Sequence, residues 1–155
     1  MRAITNLRAH RIDAPVERLG SVEGGAVLDA IVDDSFYTAS KALLAREFVE
    51  ASAGRPIGEG GFYFAILNRH QFAYCLLQDS TAASSLPPMA DFTYWGWDEN
   101  PGPISPLVYW HDGQRIHDIA MVNPSTHRQG VIQPLSEMQL NLPDALRETY
   151  QRLGV

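Results

Sequence analysis

The chain has 155 residues, of which 45% are hydrophobic, and its formal net charge is −6. A chain of this length forms one ordinary globular domain, which buries enough surface to fold without a metal or a disulfide. Its acidic residues are spread along the sequence, and its twelve basic residues form no dense run of the kind that nucleic-acid-binding proteins use. On charge alone, the composition argues against nucleic acid and favours a partner with a basic face.

The sequence carries no signal of export or of membrane insertion. Cys75 is the single cysteine, so no internal disulfide can form. No apolar run resembles a signal peptide or reaches the length of a transmembrane helix. We therefore expect a cytoplasmic protein that does not contact a membrane.

The first third of the chain predicts one secure helix. Residues 1–24 show weak periodicity and are expected to form an irregular arm, with one short strand in it as an alternative. Residues 26–32 are expected to form a helical turn or a short helix. Residues 36–51 carry apolar side chains at helical spacing, and Asp33-Asp34-Ser35 before them is typical of a helix N-cap. Gly54 and the proline that follows are expected to end this helix.

A strongly apolar hairpin follows. Two β-rich runs within residues 62–77 flank the polar segment Asn68-Arg69-His70-Gln71, which predicts two antiparallel strands. Both faces of this hairpin are apolar, so we expect it to lie at the centre of a sheet with a cover on each side.

The middle of the chain predicts two loops around one strand. Residues 79–91 are rich in Ser, Ala and Pro, which is typical of a loop. Residues 92–97 are mostly aromatic and predict a strand. Three prolines and a glycine in residues 98–106 predict a second loop.

The remaining segment predicts a second hairpin and a final helix. Asp112-Gly113 between two alternating runs indicates a hairpin over residues 107–122 with a two-residue turn. Pro143 is expected in the first turn of a helix over residues 143–153. The predicted fold is α+β: a mostly antiparallel sheet of four to five strands, a packed helix from the N-terminal half and a C-terminal helix.

Three residues of the second hairpin resemble metal ligands, namely His111, His117 and Asp118. With a two-residue turn, strand alternation places the two histidines on opposite faces of the hairpin. Asp118 shares the face of His111 but lies two residue pairs away, so we predict no metal site here.

No other residues form a recognisable catalytic or cofactor pattern. Cys75 lies in a doubly apolar strand, where a cysteine behaves as a small hydrophobic residue. The glycines at positions 58–61 precede a strand, which is the wrong order for a dinucleotide loop. The polar loop around His127 either binds an anion or serves only as a turn, and we favour the turn. We predict no catalytic residue and no cofactor.

The aromatic residues around the second predicted loop are the strongest local anomaly. All three tryptophans lie between positions 95 and 110. Such rings bury a large area and keep a polar tip, so they commonly anchor binding surfaces, although they also fill cores. We predict a binding surface made by seven residues: Trp95, Trp97, Asp98, Glu99, Tyr109, Trp110 and His111.

These observations favour a non-catalytic binding domain. The small acidic α+β domain, the missing leader and the aromatic loop resemble bacterial toxin-neutralising immunity proteins. That resemblance implies a cytosolic immunity or antitoxin-like protein that blocks a basic-faced protein partner. The alternative is a small-ligand-binding protein or enzyme with an aromatic pocket, in which His111, His117 or Asp118 are the polar groups.

Self-association is a further expectation. A hairpin that is apolar on both faces needs two covers, and a second copy of the chain is the simplest source of the missing one. Alternatively, residues 1–32 fold back over the sheet, and a monomer suffices.

Overall fold

The computed structural model describes residues 2–20 and 26–155, which form an α+β fold built on one antiparallel sheet. The described helices are α1 (Arg2–Ala9), α2 (Ala45–Ala53), α3 (Thr81–Asp98) and α4 (Asp144–Leu153), with 3₁₀ helices at Ala39–Leu44 and Leu135–Glu137. The described strands are β1 (Val16–Gly20), β2 (Val27–Val32), β3 (Phe62–Ala65), β4 (Gln71–Leu76), β5 (Val108–His111), β6 (Ile116–Met121) and β7 (Gln139–Leu140). Their order in the sheet is β1-β2-β4-β3-β5-β6-β7.

The predicted α+β class is confirmed, but the sheet has seven strands rather than four to five. The N-terminal region accounts for two of the additional strands. β1 arises from the predicted irregular arm, which also contains α1, and β2 arises from the predicted helical turn at 26–32. A short apolar run does not distinguish a strand from a helix, and β2 is decided by its pairing with β4. Residues 1 and 21–24 of the predicted arm lie outside the described residues.

The hairpin of β3 and β4 lies at the centre of the sheet, as predicted. All four residues of β3 are buried, and Phe72, Ala73 and Tyr74 of β4 are fully buried as well. Antiparallel neighbours flank it on both sides, with β2 beside β4 and β5 beside β3. Because both faces of these strands are apolar, each face nucleates its own hydrophobic cluster.

Helices α3 and α4 cover one face of the sheet. Leu86 and Met89 of α3 and Leu146 of α4 belong to the same buried cluster as Tyr63 and Trp110 of the sheet. The predicted C-terminal helix is thereby confirmed, and its Tyr150 hydroxyl forms a hydrogen bond with the hydroxyl of Tyr63.

The other face is covered by the first 3₁₀ helix, α2 and the segment after α1, while α1 itself packs against the 3₁₀ helix. Val49 of α2 is buried against Phe64 and Phe72 of the central strands. Lys41 fixes α1 in place, because its ammonium group donates to the carbonyl oxygens of Leu7 (2.6 Å) and His10 (2.5 Å) at the end of that helix. The cover over the central hairpin therefore comes from this chain itself, and the expected dimer no longer follows from an uncovered hairpin.

The largest correction concerns residues 79–98. The predicted loop at 79–91 and the predicted strand at 92–97 are wrong, because α3 spans Thr81–Asp98. Its buried residues recur every three or four positions and include Ala82, Leu86, Met89, Thr93 and Gly96. Burial of this stripe outweighs the loss of backbone hydrogen bonds at Pro87 and Pro88.

The second hairpin has a longer turn than predicted. His111 pairs with Ile116 and Trp110 pairs with His117, so residues 112–115 form the turn. The carboxylate of Asp112 stabilises that turn by accepting hydrogen bonds from the backbone N–H groups of Gln114 and Arg115, both at 2.7 Å. Next to the turn the pairing differs from the predicted one by two residues, which leaves His111 and His117 on their predicted faces, and a bulge between Val108 and Tyr109 then pairs Val108 with Ala120.

The helix predicted over 36–51 is present in two parts. The chain forms the 3₁₀ helix Ala39–Leu44 and then α2, which ends at Gly54 in the left-handed conformation (φ +66°). Glycine at this position satisfies the usual requirement of a helix C-terminus.

Candidate functional site

The seven residues of the predicted binding surface lie in three different places. Trp95, Trp97 and Asp98 belong to the last turns of α3, and Glu99 follows directly. Trp110 points into the core on the face that α3 covers. Tyr109 and His111 lie on the opposite face of the sheet, where they stack on phenylalanines of β3. The structure therefore brings four of the seven together and separates the other three from them.

The four residues at the end of α3 lie beside another half-buried ring, that of Tyr94. Trp95 and Trp97 are half-buried, whereas Asp98 and Glu99 are exposed. The two acidic side chains make no ion pair with any described residue. We call residues 94–99 the aromatic–acidic end of α3.

The loop after α3 is held rigidly against the central hairpin. The backbone N–H of Arg69 donates to the carbonyl of Gly102 (3.1 Å), and that of Ile104 donates to the carbonyl of Leu67 (3.0 Å). The side-chain amide of Asn68 donates to the carbonyl of Gly96 (3.0 Å). The aromatic–acidic end is thus anchored to the most buried part of the fold, which presents its side chains in a fixed arrangement.

Gly96 allows this close approach. A Cβ atom at position 96 would lie 2.3 Å from a methyl group of Leu67 and 3.0 Å from the side-chain oxygen of Gln71. Only glycine brings α3 so near to the connection between β3 and β4.

A buried pair of ionisable side chains lies directly beneath the aromatic rings. Nδ1 of His127 is 3.8 Å from Oδ1 of Asp91, and the two side chains are 8% and 10% exposed. The imidazole lies between the rings of Tyr94 and Trp95, with centroids 4.9 and 5.1 Å away. Within the described residues, neither ring nitrogen of His127 nor Oδ1 of Asp91 has a hydrogen-bond partner. Such unsatisfied buried groups are uncommon and call for an explanation.

Burial dominates the electrostatics of this pair. It raises the pKa of Asp91, while the nearby His127 and a hydrogen bond from the backbone of Gln133 act in the opposite direction. The carboxyl group is thus held in surroundings that disfavour its charged form, close to the half-buried rings of Tyr94 and Trp95.

The loop that carries His127 has the predicted character of a turn. The side chain of Gln133 accepts from the backbone N–H of Asn123 (2.8 Å) and donates to the hydroxyl of Thr126 (2.6 Å). The burial of His127 was not predicted, because it results from packing against a helix that the sequence analysis assigned as loop and strand. A helical reading of residues 81–98 is the signal that could have revealed it.

Trp110, the third tryptophan, is a residue of the hydrophobic core. It is 2% exposed, donates from its indole nitrogen to the carbonyl of Gly60 (3.0 Å), and stacks on His117. These contacts satisfy its polar atom inside the core.

The histidines of the second hairpin point to opposite faces of the sheet, as predicted. Nε2 of His117 lies 2.9 Å from a carboxylate oxygen of Asp112. Burial acts to raise the pKa of Asp112, but the hydrogen bonds from His117, Arg115 and Gln114 outweigh it and lower that pKa to about 2. Burial lowers the pKa of His111, whose Nδ1 accepts from the backbone N–H of Gly113 (3.0 Å). Each histidine therefore braces the turn from its own side, and the two rings do not converge.

Two further findings bear on the class of protein. Among the described residues, no helix is both long and apolar enough to cross a membrane. Compared with protein-family models, curated proteins and solved structures, the chain has no match.

Proposed function

We propose that this chain is a non-catalytic protein-binding domain whose contact surface is the aromatic–acidic end of α3. The observation that carries the proposal is the combination of three half-buried aromatic rings with two unpaired acidic side chains on one anchored helix end. Aromatic rings that already lie partly exposed lose little freedom on binding and bury much area, which is the usual property of interface hot spots.

The negative charge of this surface favours a partner with a basic face. Asp98 and Glu99 add two exposed negative charges to a chain whose net charge is −6. Arg128 is exposed in the neighbouring loop and offsets only part of this charge. A partner with a basic face gains both a faster encounter and better complementarity at this surface.

The most concrete form of the proposal is a cytoplasmic immunity or antitoxin-like protein that occupies and blocks a basic-faced protein. An inhibitor of this kind needs only a rigid complementary surface and no chemistry of its own. The alternative of a small-ligand pocket or enzyme requires Trp95, Trp97, Tyr109 and Trp110 to surround His111, His117 or Asp118. The sheet separates Tyr109 and His111 from Trp110 and His117, so these residues do not surround one site and we do not favour this alternative.

The test is differential capture from lysate of the native host. The baits are the wild-type chain, a surface variant (Trp97→Ala with Asp98→Asn and Glu99→Gln) and a control variant (Glu17→Gln with Glu148→Gln). The control removes the same number of exposed negative charges from sites that make no ion pair with described residues.

We expect one protein to be enriched by both the wild type and the control and lost with the surface variant, and its capture to weaken as salt rises. Two results would contradict the proposal. One is the absence of any specifically captured protein, and the other is a protein that the surface variant captures as well as the wild type does.

A further inference from the structure

A polar groove opens on the opposite face of the sheet from α3, beyond the end of α2. Its volume is about 560 Å³, which is within the range of small-molecule sites. Its polar lining comes from Arg18, Asp29, Ser52, Arg55 and Tyr74. The same wall contains apolar side chains, including Val16 and Leu76. A smaller extension of about 170 Å³ shares both arginines and Asp29.

Strand register explains why these polar side chains meet. Arg18 of β1 pairs with Asp29 of β2, and Asp29 pairs with Tyr74 of β4, so the three side chains form one row across three strands. Arg18 satisfies both carboxylate oxygens of Asp29, at 2.9 and 3.1 Å. This bidentate pair orients the carboxylate of Asp29 toward Arg18, and the Tyr74 hydroxyl makes no hydrogen bond with it.

The Tyr74 hydroxyl is therefore a donor without an acceptor. The residue is 0% exposed, and its hydroxyl has no hydrogen-bond partner within the described residues. Burial raises the pKa of Tyr74 to about 12, so the hydroxyl keeps its proton at neutral pH. A buried donor without a partner destabilises the free protein and gains a strong hydrogen bond when an acceptor arrives.

Arg55 supplies the matching charge. It lines both the groove and its extension, and its guanidinium makes no hydrogen bond or ion pair with any residue in 2–20 or 26–155. Because Arg18 and Asp29 cancel each other, the polar wall of the groove has a net charge of about +1 from Arg55, whereas Asp79 adds one negative charge to the wall of the extension. One unpaired cation and one unpaired hydroxyl donor fit a single monoanionic group.

We infer that this groove binds a small organic carboxylate, which receives hydrogen bonds from Arg55 and Tyr74 and places its short apolar body against Val16 and Leu76. The site lies on the other face of the sheet from the aromatic–acidic end of α3, so it is independent of the proposed partner surface.

The test is an NMR titration of the ¹⁵N-labelled full chain with butyrate, with its neutral analogue butyramide and with inorganic phosphate. We expect butyrate to shift the amide resonances of residues 16–18, 52–55 and 74–76, with a Kd on the order of millimolar for so small a ligand. Butyramide and phosphate should cause no comparable shifts, because butyramide lacks the charge and phosphate lacks the apolar body that contacts Val16 and Leu76.

Matched variants locate the site. Arg55→Gln and Tyr74→Phe should each weaken butyrate binding at least about tenfold. Arg115→Gln, which removes the same charge from the exposed turn of the second hairpin, should leave binding unchanged. Tyr74→Phe removes an unsatisfied group, so its urea midpoint should equal or exceed that of the wild type.

Several results would overturn the inference. These are no shift with butyrate, equal shifts with butyrate and butyramide, tighter binding of phosphate, or binding that survives both groove variants. A lower urea midpoint for Tyr74→Phe would also count against it, because the hydroxyl would then be satisfied in the free protein.

Discussion

The central hairpin and the aromatic–acidic end of α3 are both rich in aromatic side chains, but the two regions differ in how far those side chains are buried. In the hairpin, Phe62, Phe64 and Phe72 are at most 2% exposed and pack against one another. At the end of α3, Trp95 and Trp97 remain only half-buried beside the buried pair of Asp91 and His127, in which Oδ1 of Asp91 and both ring nitrogens of His127 lack a hydrogen-bond partner among the described residues. The hairpin buries its rings fully and leaves only the Tyr74 hydroxyl among its described side-chain polar atoms buried without a hydrogen-bond partner, whereas the helix end leaves rings partly exposed above the unsatisfied atoms of Asp91 and His127.

This contrast indicates where stability and function reside. Proteins violate packing and hydrogen-bonding rules chiefly at functional or strained sites, and other regions compensate for the cost. The hairpin supplies that compensation here, because the loop after α3 is hydrogen-bonded directly to the connection between β3 and β4. The two regions should therefore respond to substitution in different ways.

The largest stability loss is expected in the hairpin. Phe64→Ala removes a ring that is 2% exposed and packs against Phe62, Phe72 and Tyr109. It should lower the free energy of unfolding by about 3–5 kcal/mol in urea titrations. A loss below about 1 kcal/mol, which is typical of surface positions, would show that the hairpin is not the mechanical core.

Gly96→Ala tests the junction between the two regions. The added methyl group would meet Leu67 at 2.3 Å, so α3 must shift away from the hairpin. We expect a loss of about 1–3 kcal/mol, together with altered tryptophan fluorescence. Ala90→Gly in the same helix serves as a reference for the effect of a glycine–alanine exchange without a clash, and an unchanged stability in Gly96→Ala would refute the close contact.

Sequence reasoning placed the hairpins correctly because their signals are local. The apolar runs of β3 and β4 flank a polar connection, and Asp112-Gly113 marks the second turn. The longer turn was missed because three hydrogen bonds to the Asp112 carboxylate stabilise it, and the Asp-Gly dipeptide alone does not reveal them. A shift of two residues next to the turn preserves the faces of His111 and His117, so their separation was still predicted.

Helix α3 was missed because its amino-acid composition is not typical of a helix, although its buried residues have helical spacing. Serine, alanine and two adjacent prolines are typical of loops, and the aromatic run that follows them is typical of a strand. The helical spacing of Ala82, Leu86, Met89 and Thr93 is visible only if these two segments are read as one. The pair of Asp91 and His127 depends on this helix, so only a helical interpretation of residues 81–98 could have pointed to it.

The buried pair below the helix end should show an unusual dependence on pH. Because burial raises the pKa of Asp91, the folded state retains a proton that the unfolded chain releases above a pKa of about 3.9. Stability from this group is present below that value and is lost as pH rises through the raised pKa.

Asp91→Asn removes the titrating carboxyl group and therefore the loss of stability that it causes as pH rises. As pH rises from 3 to 7, the free energy of unfolding of the wild type should fall relative to that of Asp91→Asn, as measured by urea titration at each pH. At neutral pH the variant should be as stable as the wild type or more stable. A variant that is about 3 kcal/mol less stable at neutral pH would instead identify a productive ion pair with His127.

The smallest stability effect is expected at the surface itself. Trp97→Ala removes a half-exposed ring and should cost no more than about 1 kcal/mol, although it should strongly weaken capture of the partner. A loss of unfolding free energy as large as that of Phe64→Ala would show that Trp97 is a core residue and would contradict its role in the binding surface.

Hydrogen–deuterium exchange of the chain with its captured partner locates the contact most directly. We expect added protection in residues 92–104 and 123–134, which contain the aromatic–acidic end and the loop of His127, and unchanged exchange in β1 and at the end of α2. Protection confined to β5 and β6, or no change at the end of α3, would contradict the proposed surface.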